Sequence, residues 1–362
     1  MHIKFWTCAL LGIMSAQAQS GQSRIVEVGP FDYGQTKFFS KTVGWALNGN
    51  RALARTTDGG ATWTTIVPPV IKGTSTKEIR GRYFQSASAA WILVAPAPLR
   101  LPEKGRMLFR TLDGGETWTE QSLPGSLWTG DTLFADVKSG SVWLGGERAT
   151  TSETTPSSVE CPQRLRGTLW TPVIFYKGGE HSEWTQQTLP TENGCPASIV
   201  RFFDSQRGVA VSQNSVFYTE DAGINWHDSS VDTPGASESW HKIGRLPPAT
   251  LFFLEGSDRI AWLSYQGGAM FKTTDGGEHW NQIAKDGDIW NRFFGFGEWG
   301  AVYFATEMVG WTLGGDGEVF ETRDGGSSWS KLEVPRRVTS LSGGEGTCWI
   351  SGADKLYRIE YK

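Results

Sequence analysis

Histidine and cysteine are scarce, with 5 His and 4 Cys in 362 residues. His2 sits at the very start, and His181, His227, His241 and His279 are scattered without the spacing a metal ion needs. No metal and no cofactor is expected. Gly-x-Ser-x-Gly elbows, His-Glu-x-x-His pairs and phosphate-cradling glycine loops are missing, and with them the usual marks of serine hydrolases, zinc peptidases and nucleotide enzymes. No run reaches the roughly 18 apolar residues that span a bilayer. The mature chain is therefore expected to be soluble. A net charge of −4 gives no general attraction for nucleic acid.

The N-terminus has the three parts of an export signal. Lys4 supplies the positive start, Cys8 to Met14 a short apolar stretch, and Ala16-Gln17-Ala18 a small-x-small cleavage site. Residues 1–18 are expected to be removed. That leaves 19–362 as one domain in the periplasm or outside the cell. Export permits disulfides. Cys161 and Cys195 flank one long irregular region and form the candidate pair, whereas Cys348, beside Trp349 in an apolar run, reads as a small buried thiol.

What the chain does have is aromatic and glycine content: 18 Trp, 45 Gly and 12% aromatic residues. Much of it recurs in register. Five segments share the form Thr-x-Asp-x-Gly-x-x-Trp, beginning at Thr56, Thr111, Thr219, Thr273 and Thr322, with Asp58, Asp113, Asp221, Asp275 and Asp324 at the acidic position. A degenerate copy without Asp runs from Tyr176 to Trp184. Asp accepts hydrogen bonds from turn amides and Gly takes positive φ at little cost, so each box reads as a hairpin turn. One turn sequence repeated five times is a structural device rather than five cation sites.

A second element lies upstream of each box: a small residue, then Trp, then an apolar strand. It occurs at Trp45, Trp91, Trp143, Trp262, Trp311 and Trp349, and Val209 takes the Trp place in one copy. The spacing to the box Asp is the same for Trp45 and Asp58, Trp262 and Asp275, and Trp311 and Asp324. Insertions lengthen it in the second and third units. Each unit reads as four antiparallel strands, a to d, with the Trp on strand b and the box joining c to d. Repetition at this period predicts an all-β, seven-bladed propeller. The last unit runs out of chain after strand c, near Leu356 to Tyr361. Arg24 to Val28 is free to supply its missing strand and close the ring, which removes exposed sheet edges.

The Asp-Gly-Gly-x-x-Trp turns resemble the Asp-box, or BNR repeat, of sialidases and related propellers. Together with strands such as Val43-Gly44-Trp45-Ala46-Leu47 and Val309-Gly310-Trp311-Thr312-Leu313, the chain resembles the Ycf48/Hcf136-like family over nearly its whole mature length. That resemblance implies a seven-bladed, non-enzymatic scaffold of the kind that assists photosystem II assembly. The third unit departs from the pattern in lacking its Asp, and the fourth in carrying Val209.

Strands b and c are joined at one end of such a ring, together with strands d and a of successive blades. The long inserts all fall there: 95–105, 145–167, 229–248 and 286–292. Variable loops on a rigid ring are where binding usually sits. This elaborated end offers Arg100, Lys104, Arg106, Arg148, Arg164 and Arg166, with Trp128, Trp240, His241, Trp290 and Arg292. Arg and Trp are common interface anchors. The expected function is binding of a protein partner by a monomer, with no catalytic residue assigned. The alternative is a sialidase-like glycoside hydrolase or a carbohydrate-binding propeller, which needs paired carboxylates that sequence cannot place.

Overall fold

The computed structural model describes residues 23–96, 106–124, 129–136, 139–150, 169–179, 181–187, 189–190, 197–212, 215–233, 236–238, 248–265, 269–284, 302–314, 317–335, 337–352 and 354–361. They form seven antiparallel β-blades. Blade one is Thr36–Phe38, Gly44–Asn48, Ala52–Thr56 and Thr64–Ile66, paired in that order. Blade six repeats it as Val302–Phe304, Gly310–Leu313, Val319–Thr322 and Ser330–Leu332. The last blade holds Val338–Gly344, Thr347–Gly352 and Lys355–Glu360, and its fourth strand is Arg24–Pro30 from the other end of the chain. Arg24 faces Glu360 and Pro30 faces Lys355 across a small bulge after Glu27. Glu27 and Lys355 form an ion pair over this seam.

Two inserts are structured rather than plain loops. The segment 145–167 begins as strand: Gly145 to Thr150 continue Val142–Thr150 and pair with Leu169–Lys177 as far as Thr150 opposite Leu169. The segment 229–248 contains a hairpin, Ser230–Thr233 with Ala236–Glu238. Its first strand pairs parallel to His279–Ala284, so the fifth blade has six strands instead of four. Ser229 anchors the start of the hairpin by donating its hydroxyl to the carbonyl of Gly277 at 2.6 Å.

The strand-b Trp residues join blade to blade. Trp45, Trp143, Trp262, Trp311 and Trp349 are all fully buried. Trp143 stacks on Phe202 of blade four at 3.9 Å, Trp262 on Phe304 of blade six at 3.8 Å, and Trp349 on Phe38 of blade one at 4.0 Å. The small residue before each Trp has a steric cause. A Cβ at Gly310 would lie 2.5 Å from the ring of Phe304, its cross-strand partner, and one at Gly44 would lie 2.7 Å from Phe38. Burying one such side chain removes about 150–250 Å² from water. At about 25 cal/mol per Å² this contributes at most about 4–6 kcal/mol.

The five Asp turns share one hydrogen-bond scheme. In the first, the Thr56 hydroxyl donates to Asp58 Oδ1 at 2.8 Å and accepts the Gly60 N–H at 2.9 Å. Asp58 also accepts the Thr62 N–H and the Thr62 hydroxyl. The residue six places after the Thr is polar in every copy: Thr62, Thr117, Asn225, His279 and Ser328 each close onto the Asp. Gly59 and Gly60 take φ of 77° and 98°, which side chains resist. Ala222 occupies the first of these positions in the third box at φ 62°. Trp63, Trp118, Trp280 and Trp329 donate their indole N–H to the carbonyl of their own turn's glycine. In the degenerate copy Trp184 donates to Ser122 of the preceding blade instead.

These carboxylates titrate low. The Thr62 hydroxyl and amide hold Asp58 at about 2, and Thr117 does the same for Asp113. At Asp221, Asp275 and Asp324 partial burial pushes upward, but the turn hydrogen bonds outweigh it and the net shift is down. An unfolded Asp titrates near about 3.9. The folded value is the lower one, so this stabilisation is complete above roughly pH 4 and is lost as pH falls toward about 2. The thermal midpoint is expected to hold steady down to about pH 4.5 and then fall, with little contribution per turn because the carboxylates face solvent. Asp58→Asn combined with Asp113→Asn should flatten the fall in a pH series of melting curves. An unchanged slope would show that other carboxylates drive it.

Candidate functional site

The first strands of the blades line the centre of the ring. One position on each faces the strand-b Trp or Val directly: Lys37 faces Trp45, Tyr83 faces Trp91, Phe134 faces Trp143, Arg201 faces Val209 and Phe252 faces Trp262. These five residues line a central cavity of about 350 Å³. Phe84, Phe202, Leu251 and Phe253 of the same strands line it too, and Phe39, Gln85, Phe203 and the turn Leu254 to Ser257 complete its wall. This last group follows the final residue of a strand a, so the cavity lies at the end of the ring that carries the a–b and c–d turns. That is the end opposite the long inserts.

The lining is aromatic with a small charged group in it. Phe203 and Phe253 stack at 3.8 Å. The Arg201 guanidinium lies 5.7 Å from the centre of the Tyr83 ring and donates to the carbonyl of Val200 at 3.0 Å. Lys37 is 4.0 Å from Glu255, donates to the Gly343 carbonyl at 3.4 Å and lies over the Phe39 ring. Its side chain is 29% exposed. Burial lowers the Lys37 pKa; Glu255 opposes that shift and Arg201 adds to it. Glu255 takes the Glu345 N–H on its other oxygen at 2.9 Å.

The same end of the ring presents large apolar side chains to solvent. Leu112 is 60% exposed in the c–d turn of blade two, Ile224 74% in that of blade four, and Met308 49% in the a–b turn of blade six.

Of the basic and aromatic residues singled out from sequence, two fall in described segments. Arg106 is half-buried just before the strand Met107–Thr111. Arg148 lies in the strand Val142–Thr150, opposite Thr171. Arg100, Lys104, Trp128, Arg164, Arg166, Trp240, His241, Trp290 and Arg292 lie outside the described residues, as do Cys161 and Cys195. Cys348 is a buried free thiol whose pKa burial pushes up. Asp275, Glu278 and His279 bring ligand atoms within 4.8 Å of one another. All three are exposed, and Asp275 is already engaged in its turn.

Sequence reasoning passed over the cavity, although a signal for it exists. Lys37, Arg201 and Phe252 are the residues directly before the last apolar residue of strand a. They sit at a register position that repeats from blade to blade, and two charges there interrupt the aromatic residues Tyr83, Phe134 and Phe252 that share the cavity.

Fold and cavity together define a seven-bladed propeller with a lined central well. No family model matches the chain, and no curated protein sequence does. Solved structures match over its length. A structure of Ycf48 bound to D1 peptide has 17% identity, covers 95% of this chain and 96% of its own, and gives a TM-score of 0.55. Ycf48 from Cyanidioschyzon merolae gives 15%, 93% and 98%, with a TM-score of 0.58. The GH74 xyloglucanase from Xanthomonas campestris gives 17% and a TM-score of 0.55, covering 91% of this chain but 52% of the enzyme. The chain thus spans about half the length of that enzyme. These likenesses establish the propeller architecture.

Proposed function

We propose that this chain is an exported, non-enzymatic propeller scaffold that holds a protein partner at the end of the ring carrying the Asp turns. The observation that carries this reading is the lined cavity on a rigid ring, sharing its end with exposed Leu112, Ile224 and Met308. A rigid scaffold with apolar anchors around a concave centre is the usual form of a protein-binding surface. Ycf48, which shares the fold, has been seen with a D1 peptide, and this supports a peptide segment as the partner's contact. Export is supported by the signal-like pattern of the first 18 residues. Among the described residues no helix is long and apolar enough to cross a membrane.

Glycoside hydrolysis by acid and base needs two carboxyl groups about 5–9.5 Å apart. Among the described residues lining the cavity, Glu255 is the one carboxylate.

Capture from the native envelope tests the proposal. The wild-type chain should retain a specific partner, and the triple variant Leu112→Asp, Ile224→Asp, Met308→Asp should lose at least about tenfold of that retention. The three side chains are exposed, so near-ultraviolet circular dichroism should be unchanged. Equal retention by both proteins would remove the assignment of this surface. Turnover of xyloglucan or a sialoside by the wild type would replace the scaffold reading with an enzymatic one.

A further inference from the structure

The lining of the cavity selects its occupant by charge and by ring contact. Lys37 and Arg201 bring two positive charges to the wall, against the single carboxylate of Glu255 among the described lining residues. That carboxylate is shared. One oxygen is held by the Glu345 N–H, and the other stands 4.0 Å from Lys37, at the limit of an ion pair. The Lys37 ammonium therefore sits in a partly desolvated place beside a second cation, with a long hydrogen bond to Gly343. An anion between the two cations relieves both costs, and charge-assisted hydrogen bonds to carboxylate are among the stronger ones. The rest of the wall, Phe39, Phe203, Phe253 and Leu254, gives an anion's body apolar surface to cover. A volume of about 350 Å³ lies at the small end of ligand sites.

The geometry points to a site for a monocarboxylate with an aromatic or aliphatic body. The carboxylate lies between Lys37 and Arg201, and the body packs on Phe39 and on the stacked pair Phe203 and Phe253. The assignment rests on reading the cavity as the docking centre of the scaffold. Two sources share this chemistry: a free organic acid, and the C-terminal residue of a partner chain.

Titration calorimetry on the intact chain tests it with two matched pairs of probes. One pair is 3-phenylpropionate and 3-phenylpropionamide. The other is the peptide Gly-Gly-Gly-Leu-Phe with a free carboxylate and as its C-terminal amide. In at least one pair the acid should bind about tenfold or more tighter than the amide. A preference in the first pair alone indicates a free acid, and in the second alone a chain end. Lys37→Met should weaken acid binding about tenfold, and Glu255→Gln, which removes the competing carboxylate, should strengthen it. Equal affinity for acid and amide in both pairs, no saturable binding of either acid, or indifference to Lys37→Met overturns the assignment. The wild-type comparison of acid with amide needs no variant to fold. A partner lost from the triple surface variant, with no preference for acid over amide, removes the carboxylate site and leaves the scaffold standing. The opposite pattern removes the scaffold surface and leaves the site.

Discussion

Deletion of residues 23–30 is expected to abolish the cooperative thermal transition of the protein. The segment supplies the fourth strand of the last blade, in register from Arg24 opposite Glu360 to Pro30 opposite Lys355. Six residue pairs join along it. At roughly 0.5–1.5 kcal/mol net per hydrogen bond, their loss alone comes to several kcal/mol. A whole domain is stable by only about 5–15 kcal/mol. Removal also bares the edge of Lys355–Glu360, an open template for pairing between molecules. A permuted chain separates loss of pairing from loss of sequence. Residues 23–30 reattached after Lys362 through a short turn should restore the transition, because Arg24 and Glu360 already face each other across the seam. If the truncated chain melts like the parent, the ring does not depend on its seam.

The second large effect is expected at Trp262. Its ring is 1% exposed, stacks on Phe304 at 3.8 Å with an interplanar angle of 7°, and donates its N–H to the Gly325 carbonyl at 3.1 Å. All three contacts join blade five to blade six or bury the joint. Trp262→Ala should cost about 3–5 kcal/mol, the range for large aromatic truncations in cores. Trp262→Phe should cost less, since a ring remains to stack, but it leaves the Gly325 carbonyl without this donor. Urea unfolding midpoints, compared with Trp63→Ala as a half-buried control, decide the matter. A Trp262→Ala variant no weaker than the control would show that the stack is incidental.

The repeat was readable because it is local. The Thr, Asp, Gly and Trp of a box lie within eight residues of one another, so turn chemistry alone reveals the hairpin. The seam was readable by bookkeeping: seven strand-b elements with one strand d missing at the end, and one spare apolar segment at the start. The extra hairpin of blade five was not readable, because Ser230–Thr233 and Ala236–Glu238 carry neither box nor Trp and their pairing with His279–Ala284 is parallel and distant in sequence. The polar residue six places after each box Thr was visible in all five copies but takes four identities, Thr, Asn, His and Ser. Only the shared hydrogen bond to Asp makes them one element. The cavity was hidden because its members lie on separate blades, roughly 50 residues apart, and meet only when the ring is built.

Val209 shows how the repeat tolerates an exception. It takes the place of the Trp and is fully buried. A Cβ on Gly277 of the next blade would lie 2.6 Å from Val209 Cγ2, so the smaller side chain is met by a closer turn. Phe253, which occupies the place that Phe304 holds under Trp262, stacks on Phe203 instead. The loss of one indole at this joint therefore frees the phenyl pair that walls the cavity.

The pairing of Arg24 with Glu360 also sets an order of events during biosynthesis. Arg24–Pro30 is made before the six blades that follow it in the chain, and its partner Lys355–Glu360 only after them. For the whole time in between it travels as an unmatched ribbon alongside six blades that can complete themselves. Long-range closures of this kind are slow, and the waiting species is prone to stick to its neighbours. Until Lys355–Glu360 is in place, the edge of residues 24–30 stays open to pairing with other chains, a cost of closing the circle with so early a strand.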